Sequence, residues 1–475
     1  MSGFRSRSRR YVQKEEEQAR ERSARQQSAQ RAAAERPDVD AARLAAFDVL
    51  TQVRVDDAYA NLVLPKMLRD RGIRGRDAAF ATEITYGTLR NLGVLDAVID
   101  VASTRPLDRI DPQLLDALRL GAYQVLYTRV EPHAAVDTTV RLTTEKLKGF
   151  ANAVMRTLTR SSRESWFEQA TPPGEIPALA FRHSHPEWIA ESFARTIGIE
   201  ELGEALEADS ERPKVHLAAR PGEMSAEELA LITGGQEGKY SPYAVYLDGG
   251  DPGELEPVRE GLAAVQDEGS QLIARAVAEA PLSGEDTGRW LDLCAGPGGK
   301  AALLAALARI DGAHVDAVEI APHRARLVEN LTRGLPVTVH IADGKQSGLE
   351  PGFDRVLVDA PCSGLGALRR RPEARWRKQE SDIAELSVLQ FELLSAAYEL
   401  VRPGGIVVYS TCSPDLRETR EVVDRAVADL GATELDAHPL VLGMERVGTE
   451  KSVQMWPHRH GTDAMFFAVL QKPVT

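Results

Sequence analysis

Two of the three cysteines in this 475-residue chain stand just beyond short apolar runs. Cys362 follows the run in "FDRVLVDAPC", and Cys412 follows the run in "GGIVVYSTC". Runs of this length that are rich in β-branched residues predict buried strands. A thiol at a strand end acts as a nucleophile when its surroundings lower its pKa. Two such thiols therefore indicate covalent catalysis rather than packing.

A sulfur nucleophile is needed to methylate carbon 5 of a pyrimidine, because that carbon is a poor nucleophile. If a thiolate adds to carbon 6, the ring becomes enamine-like and carbon 5 can accept an electrophilic methyl group. Asp359, which ends the run "DRVLVDA", is expected to bond ring N3 and the exocyclic amine, which favours cytosine. On chemistry alone, either Cys362 or Cys412 could attack, with the other assisting release.

The elements that would position these residues lie after Leu262, where short strand-like runs alternate with helical ones. This alternation predicts a parallel sheet with helices on both faces. Ligands of such folds bind at the carboxyl ends of the strands, where both thiols fall. The run in "AMFFAVLQK" is expected to add an edge strand.

A glycine-rich loop, "LDLCAGPGGK", follows the first strand of this region. A phosphate-binding loop requires GxxxxGK before Ser or Thr, and a dinucleotide site requires GxGxxG. Neither pattern is present, which leaves S-adenosylmethionine as the predicted cofactor. Glu319 and Asp343 follow the next two strands, where carboxylates are expected to bind ribose hydroxyls and an adenine amine. A packing role is expected for Cys294, within the loop.

Composition narrows the class of protein further. The formal net charge is −13, which argues against a general coat for nucleic acid. We find neither an apolar run of membrane-spanning length nor a signal peptide. Three cysteines without CxxC spacing predict neither disulfides nor a metal site. Free thiols favour a reducing, cytoplasmic compartment.

Several segments can be distinguished along the chain. The predicted parts are a basic tail over 1–37, a helical domain over 38–165, a small α/β module over 176–260 and a catalytic α/β domain over 261–475. Ser161 to Pro177 is polar and contains prolines, which is typical of a linker. The tail carries about twice as many basic as acidic residues up to position 36, as expected of a solvated arm that can also contact phosphate.

A basic stretch, "LRRRPEARWRK", follows the Cys362 loop. Arginine neutralises phosphate and stacks on bases, and tryptophan offers a stacking face. The predicted RNA-binding residues are Arg369, Arg370, Arg371, Arg375 and Trp376. The target base must be flipped from a helix or already unstacked to reach the thiols.

The motifs "DLCAGPGGK", "DAPCSGLGALRRRPEARW", "STCSP" and "GTDAMFFAVL" resemble those of the RNA 5-methylcytosine methyltransferases. The segments "AFATEITYGTLR", "LRLGAYQVLY" and "GFANAVMRTLTR" resemble the NusB-like RNA-binding domain. The combination is similar to the bacterial RsmB/Sun branch. The resemblance implies a multidomain protein with an all-α NusB-like domain, a small α/β middle module and a Rossmann-like methyltransferase domain with a mostly parallel sheet.

The resemblance also implies roles for individual residues. It makes Cys412 the nucleophile and Cys362 the residue that aids product release. The implied cofactor contacts are Cys294, Ala295, Gly296, Pro297, Gly298, Gly299, Lys300, Glu319, Asp343 and Asp359. The implied substrate is a cytosine in 16S ribosomal RNA, either naked or in a partly assembled small subunit. A transfer RNA methyltransferase and a non-catalytic assembly factor are the alternatives.

Overall fold

The computed structural model describes residues 39–474. The basic tail predicted for residues 1–37 lies outside them. The described chain forms two compact units. The N-terminal unit contains the chain up to Pro186 together with Arg371–Trp376, and the C-terminal unit contains Glu187–Arg370 and the chain from Arg377 onward.

From residue 39 to 186 the N-terminal unit is built from nine α-helices, which confirms the all-α prediction. Their bounds are α1 Ala41–Val55, α2 Ala60–Asp70, α3 Gly75–Arg90, α4 Leu92–Ala102, α5 Pro112–Tyr127, α6 Pro132–Arg141, α7 Lys148–Leu158, α8 Arg163–Ala170 and α9 Glu175–Arg182. Asp40 and Asp111 cap α1 and α5 by accepting backbone N–H bonds. The apolar helix faces pack into one core around Phe47, Leu95 and Ile99.

The predicted linker from Ser161 to Pro177 is wrong, because most of it is helical. Ser162 caps α8 by accepting the backbone N–H of Ser165 at 3.3 Å. Trp166 is buried, and its Nε1 donates to the carbonyl of Leu158 at 3.0 Å. A polar, proline-bearing stretch thus becomes helix because one tryptophan anchors it to the core.

The C-terminal unit begins with a small α/β part, as predicted. Its elements are α10 Glu187–Ile197, α11 Ile199–Ser210, β1 Val215–Ala219, α12 Ala226–Thr233, β2 Gln236–Glu237, β3 Ala244–Leu247, α13 Glu256–Arg259 and β4 Ala263–Val265. The strands form an antiparallel sheet in the order β2-β3-β1-β4. Since β4 pairs with β1, this sheet extends past the predicted boundary at residue 260.

The catalytic part follows. Its elements are α14 Glu268–Glu279, β5 Arg289–Asp292, α15 Gly299–Asp311, β6 His314–Val318, α16 Pro322–Leu331, β7 Val337–His340, β8 Phe353–Asp359, α17 Glu380–Leu400, β9 Val401–Thr411, α18 Arg420–Leu430, β10 Thr433–Leu435, β11 Val453–Gln454, α19 Pro457–His460 and β12 Phe466–Gln471. The main sheet runs β10-β12-β9-β8-β5-β6-β7, with β11 paired to β12. None of the helices between residues 39 and 474 has the length and apolar content needed to cross a membrane.

Strands β5 to β9 are parallel, which confirms the mostly parallel sheet. The central strand β8 is buried along almost its whole length because apolar cores cover both faces of the sheet. The expected edge position of β12 is wrong. It lies between β9 and β10 and is antiparallel to both, and its apolar side chains are buried on both faces.

Candidate active site

The carboxyl ends of four parallel strands bring the predicted residues together. The glycine loop follows β5, Glu319 follows β6, Asp359 ends β8 and Cys412 follows β9. Asp359 stands opposite Ser410 in the register of β8 and β9. Because the carboxyl ends of parallel strands meet at one edge of a sheet, residues far apart in sequence share one site.

Cys362 and Cys412 lie side by side, with 3.3 Å between their Sγ atoms. A disulfide bond would be about 2.0 Å long, and both thiols are free and half-buried. Each cysteine follows the end of its own strand, β8 or β9, and these strands are hydrogen-bonded neighbours. The parallel pairing of two strands therefore sets the distance between the two sulfur atoms.

The surroundings of the two thiols differ. The hydrogen bond with Cys362 lowers the pKa of Cys412, and the Lys300 ammonium acts in the same direction against burial and the charge of Asp359. The same hydrogen bond between the two sulfur atoms raises the pKa of Cys362. Burial and the charge of the nearby Glu418 raise it further. Because Lys300 stabilises a negative charge on Cys412 and Glu418 opposes one on Cys362, the thiolate is favoured at Cys412, with Cys362 as its donor. This asymmetry favours Cys412 as the nucleophile.

Lys300 and Asp359 form an ion pair whose two charges both act on Cys412. Its Nζ donates to Asp359 Oδ2 at 2.9 Å, and Ser410 Oγ donates to Asp359 Oδ1 at 2.9 Å. Burial alone would lower the pKa of Lys300, but the charge and hydrogen bond of Asp359, together with Cys412 and Asp292, outweigh burial and the pKa is raised. A fixed ammonium therefore stays beside Cys412. Ser410 was not singled out from the sequence, although it precedes Cys412 by only two positions.

A buried carboxyl group holds the loops that follow the two cysteines. Glu418 Oε1 accepts the backbone N–H of Ser363 at 2.8 Å and Nε2 of Gln390 at 3.0 Å. Its other oxygen accepts the Ser363 hydroxyl, and the Ser413 hydroxyl lies 3.2 Å from the same Ser363 Oγ, which can accept from it. Sequence reasoning missed Glu418, since nothing local shows that it is fully buried or that it reaches residue 363.

We expect Glu418→Ala to lower the free energy of unfolding by about 3 kcal/mol, because it leaves several buried donors without an acceptor. Urea denaturation of the full chain measures this loss. Glu418→Gln retains a carbonyl acceptor and is expected to lose less. Equal stability of the alanine variant and the wild type would contradict a structural role for this network.

The glycine loop passes against Glu319. The backbone N–H of Gly296 donates to Glu319 Oε2 at 3.1 Å, and that of Ala321 donates to Oε1 at 2.8 Å. A Cβ at Gly296 would lie 2.1 Å from Glu319 Oε2. A side chain at this position would therefore displace the Glu319 carboxylate from the loop.

The donor set fits the predicted cofactor, S-adenosylmethionine, which carries cationic groups and hydroxyls. Asp292 is buried beneath the loop, and within residues 39–474 its Oδ2 has no hydrogen-bond partner. Burial and the charge of Asp359 raise the pKa of Asp292 to about 7. An unmatched carboxyl oxygen close to further carboxylates suits a ligand that brings donors and positive charge.

Asp343 and Cys294 are two further residues that were predicted to contact the cofactor. Asp343 lies three residues beyond the end of β7, where its Oδ1 accepts the backbone N–H of Lys345 at 3.0 Å. Its contact with adenine stays a prediction. Cys294 packs against the apolar core on one face of the sheet, and burial raises its pKa. An inert packing thiol behaves in this way.

Arg369 and Arg370 are not available to RNA phosphates as expected from the sequence. Arg369 is 6% exposed, and its Nε pairs with Asp463 at 2.7 Å. Arg370 Nη2 pairs with Asp267 at 2.7 Å, and its Nε pairs with Asp463 at 2.9 Å. The prediction for these two arginines is wrong because acidic partners about a hundred positions away neutralise them.

The rest of this basic stretch, Arg371–Trp376, belongs to the N-terminal unit. Arg375 is fully buried, and its Nη1 donates to the carbonyl of Ser184 at 3.3 Å, so its predicted contact with RNA is also wrong. Trp376 is 37% exposed and packs so closely on Gly93 that a Cβ there would lie 2.3 Å from the indole. Arg371 stacks over the ring of Tyr59 at 4.8 Å. Only Arg371 and Trp376 remain exposed enough to meet RNA.

Known proteins share both halves of this chain. Residues 280–471 match the family model described as 16S rRNA methyltransferase RsmB/F, and residues 40–160 match that of the NusB family. A Mycobacterium tuberculosis protein named as a methyltransferase is 57% identical, over 91% of this chain and 97% of its own. The ribosomal RNA small subunit methyltransferase B of Salmonella paratyphi B is 34% identical, over 80% of this chain and 88% of its own.

Solved structures share the fold. The crystal structure of PH0851 has a TM-score of 0.73 and 22% identity, and the match covers 90% of this chain and 98% of that one. A methyltransferase homologue from Pyrococcus horikoshii has a TM-score of 0.52 and 23% identity, over 63% of this chain and 100% of its own. At such identities the likeness concerns architecture.

Proposed function

Because this chain belongs to the RsmB/F methyltransferase family, we propose that it methylates carbon 5 of a cytosine in 16S ribosomal RNA. S-adenosylmethionine is the cofactor of this methyltransferase. The observation that carries the proposal is the pair of free thiols 3.3 Å apart at neighbouring strand ends. A ribosomal RNA substrate agrees with the cytoplasmic location expected from free thiols.

When bound, S-adenosylmethionine supplies an electrophilic methyl group. The glycine loop leaves room for close backbone approach to the cofactor. Glu319 would accept bonds from ribose hydroxyls, and Asp292 would accept a donor of the methionine portion with its unmatched oxygen. Lys300, whose charge is held in place by Asp359, would attract the carboxylate of that portion.

Cys412 attacks carbon 6 of the cytosine as a thiolate, and the electron pair of the 5,6 double bond makes carbon 5 nucleophilic. Carbon 5 would then take the methyl group as the methyl–sulfur bond of the cofactor breaks and S-adenosylhomocysteine leaves, and a base would remove the proton from carbon 5. The electron pair of that carbon–hydrogen bond restores the 5,6 double bond, while the bond between carbon 6 and Cys412 breaks and returns its electron pair to the sulfur of Cys412. Asp359 orients the ring by accepting from the exocyclic amine.

Cys362 assists this last step through its position. Its raised pKa keeps it protonated, and its sulfur lies 3.3 Å from that of Cys412. A protonated thiol at this distance donates to the departing sulfur and stabilises the charge that develops there. Release of the methylated base therefore depends on Cys362 more than the first addition does, because Lys300 still stabilises the attacking thiolate when Cys362 is absent.

The lowered pKa of Cys412 predicts a specific dependence of activity on pH. The thiolate is the active form, so kcat/KM rises as pH increases through that pKa. The midpoint of this rise is expected at lower pH than for an ordinary thiol. Lys300→Gln removes the stabilising charge and is expected to move the rise to higher pH. A rise that is unchanged in this variant would contradict the role of Lys300 in lowering the pKa.

The proposed function can be tested by methyl transfer from labelled cofactor to purified 16S ribosomal RNA, small ribosomal subunits and transfer RNA. Bisulfite sequencing then locates 5-methylcytosine. We expect label at one cytosine of 16S ribosomal RNA, in the naked RNA or the subunit. Label confined to transfer RNA would overturn the substrate, and cofactor binding without transfer to any RNA would indicate a non-catalytic factor.

A further inference from the structure

A cavity of about 540 Å³ lies in the C-terminal unit, beside the end of the glycine loop. Strands β1 and β4 of the four-stranded sheet form one wall. The beginning of α15 and the end of α16 form the other. None of Glu319, Asp343, Asp359, Cys362 and Cys412 lines it. Gly299 is the one predicted cofactor contact that lines it, so the cavity borders the predicted cofactor site without containing its acidic residues.

The rim of this cavity is basic although the whole chain carries a formal charge of −13. Three arginines line it, Arg220, Arg259 and Arg333, against the single carboxylate of Glu260. Arg220 is held by the carbonyl of Leu331 and by Glu223. Arg259 and Arg333 are exposed and form no ion pair within residues 39–474. Arg333 Nη2 donates to the neutral side chain of Asn330 at 3.1 Å, so both guanidinium groups keep an uncompensated charge among the described residues. Two such groups at one rim suit the phosphates of a nucleic acid.

The interior of the cavity has apolar surface that suits contact with a nucleobase. Val265 is 55% exposed and Leu331 is 39% exposed, although both are apolar side chains. Gln266 also lines the cavity and is 7% exposed. Its Nε2 has no hydrogen-bond partner among the described residues. A buried amide donor without an acceptor is costly, and a ligand with an acceptor there would satisfy it.

Two consecutive residues, Gly299 and Lys300, connect the cavity to the thiol site. Gly299 lines the cavity, while the side chain of the next residue, Lys300, contacts Asp359 beside the thiols. We propose that this cavity binds a single-stranded nucleotide of the RNA substrate that neighbours the target cytosine. Arg259 and Arg333 bind phosphate, Val265 and Leu331 contact the base, and Gln266 donates to an acceptor. This inference rests on the proposed function.

The test is the binding of in vitro transcribed 16S ribosomal RNA to the full chain over a series of salt concentrations. We expect Arg259→Gln/Arg333→Gln to bind about tenfold more weakly near 0.1 M salt. The slope of log affinity against log salt is expected to fall by about 1.4, which corresponds to two single-strand phosphate contacts. KM for RNA should rise with kcat unchanged, because these residues do not touch the reacting atoms.

Two matched variants control this measurement. Arg259→Lys/Arg333→Lys retains both charges and should retain most of the salt slope. Arg425→Gln removes one positive charge from α18, where Arg425 pairs with Asp429, and should change affinity less than about twofold. Wild-type affinity and slope in the double glutamine variant would overturn the cavity as an RNA site. Absence of methyl transfer by the wild type would instead overturn the proposed function, while the binding series still decides the role of the cavity.

Discussion

Cys412→Ala is expected to reduce methyl transfer to RNA by at least about 1,000-fold, or ~4 kcal/mol in activation free energy. The reason is that carbon 5 remains a poor nucleophile unless sulfur adds to carbon 6. Cys412 is the thiol that loses its proton first, since Lys300 and Cys362 both stabilise its charge. Single-turnover transfer from labelled cofactor measures the effect.

The cofactor provides the control for this loss. Calorimetric titration with S-adenosylmethionine should give the same affinity for Cys412→Ala as for the wild type, because the glycine loop and Glu319 are untouched. Cys412→Ser should be nearly as inactive, since a hydroxyl is not ionised at neutral pH. Substantial turnover by Cys412→Ala would exclude Cys412 as the nucleophile, and turnover by Cys362→Ala/Cys412→Ala would exclude covalent catalysis by either thiol.

Cys362→Ala is expected to trap a covalent protein–RNA adduct and to slow product release by about 100-fold. Addition of Cys412 to the ring still occurs, but the departing sulfur loses the donor that lies 3.3 Å away. Labelled RNA that migrates with the protein on a denaturing gel reports the adduct, and protease treatment should remove the shift.

The double variant Cys362→Ala/Cys412→Ala separates this adduct from ordinary binding, since it has no thiol to form the bond and should give no shifted band. The opposite pattern is equally informative. If Cys412→Ala trapped RNA and Cys362→Ala did not, the two cysteines would have exchanged roles. Such a result would also contradict the asymmetry of their surroundings, in which Glu418 lies nearer Cys362 and Lys300 favours charge on Cys412.

Much of the catalytic fold could be predicted from local patterns. Runs such as "DRVLVDA" and "HVDAVEI" form the parallel strands β8 and β6, because apolar runs of this length are stable only when both faces are covered. The helical N-terminal unit followed from apolar residues spaced three and four apart. The residues that make up each pattern lie within a few positions of one another, so each pattern can be recognised directly in the sequence.

Long-range partners decided the features that the sequence did not reveal. The basic stretch after Cys362 is typical of a segment that binds RNA phosphates. In the structure, however, Asp267 and Asp463 neutralise Arg369 and Arg370. Likewise, β12 reads as an edge strand but is covered by β10, and a polar linker becomes helix around Trp166. In each case the deciding contact comes from an element that local sequence does not identify.

By itself the sequence determined the strand ends, the glycine loop and the two cysteines that follow β8 and β9. Only the tertiary structure decided that the two sulfur atoms lie within hydrogen-bond distance, that Lys300 stands beside one of them and that Glu418 stands nearer the other. The physical reason is that charge and burial act through space. A thiol acquires its pKa from groups that chain folding brings close, and those groups lie up to 112 positions away, as Lys300 does from Cys412.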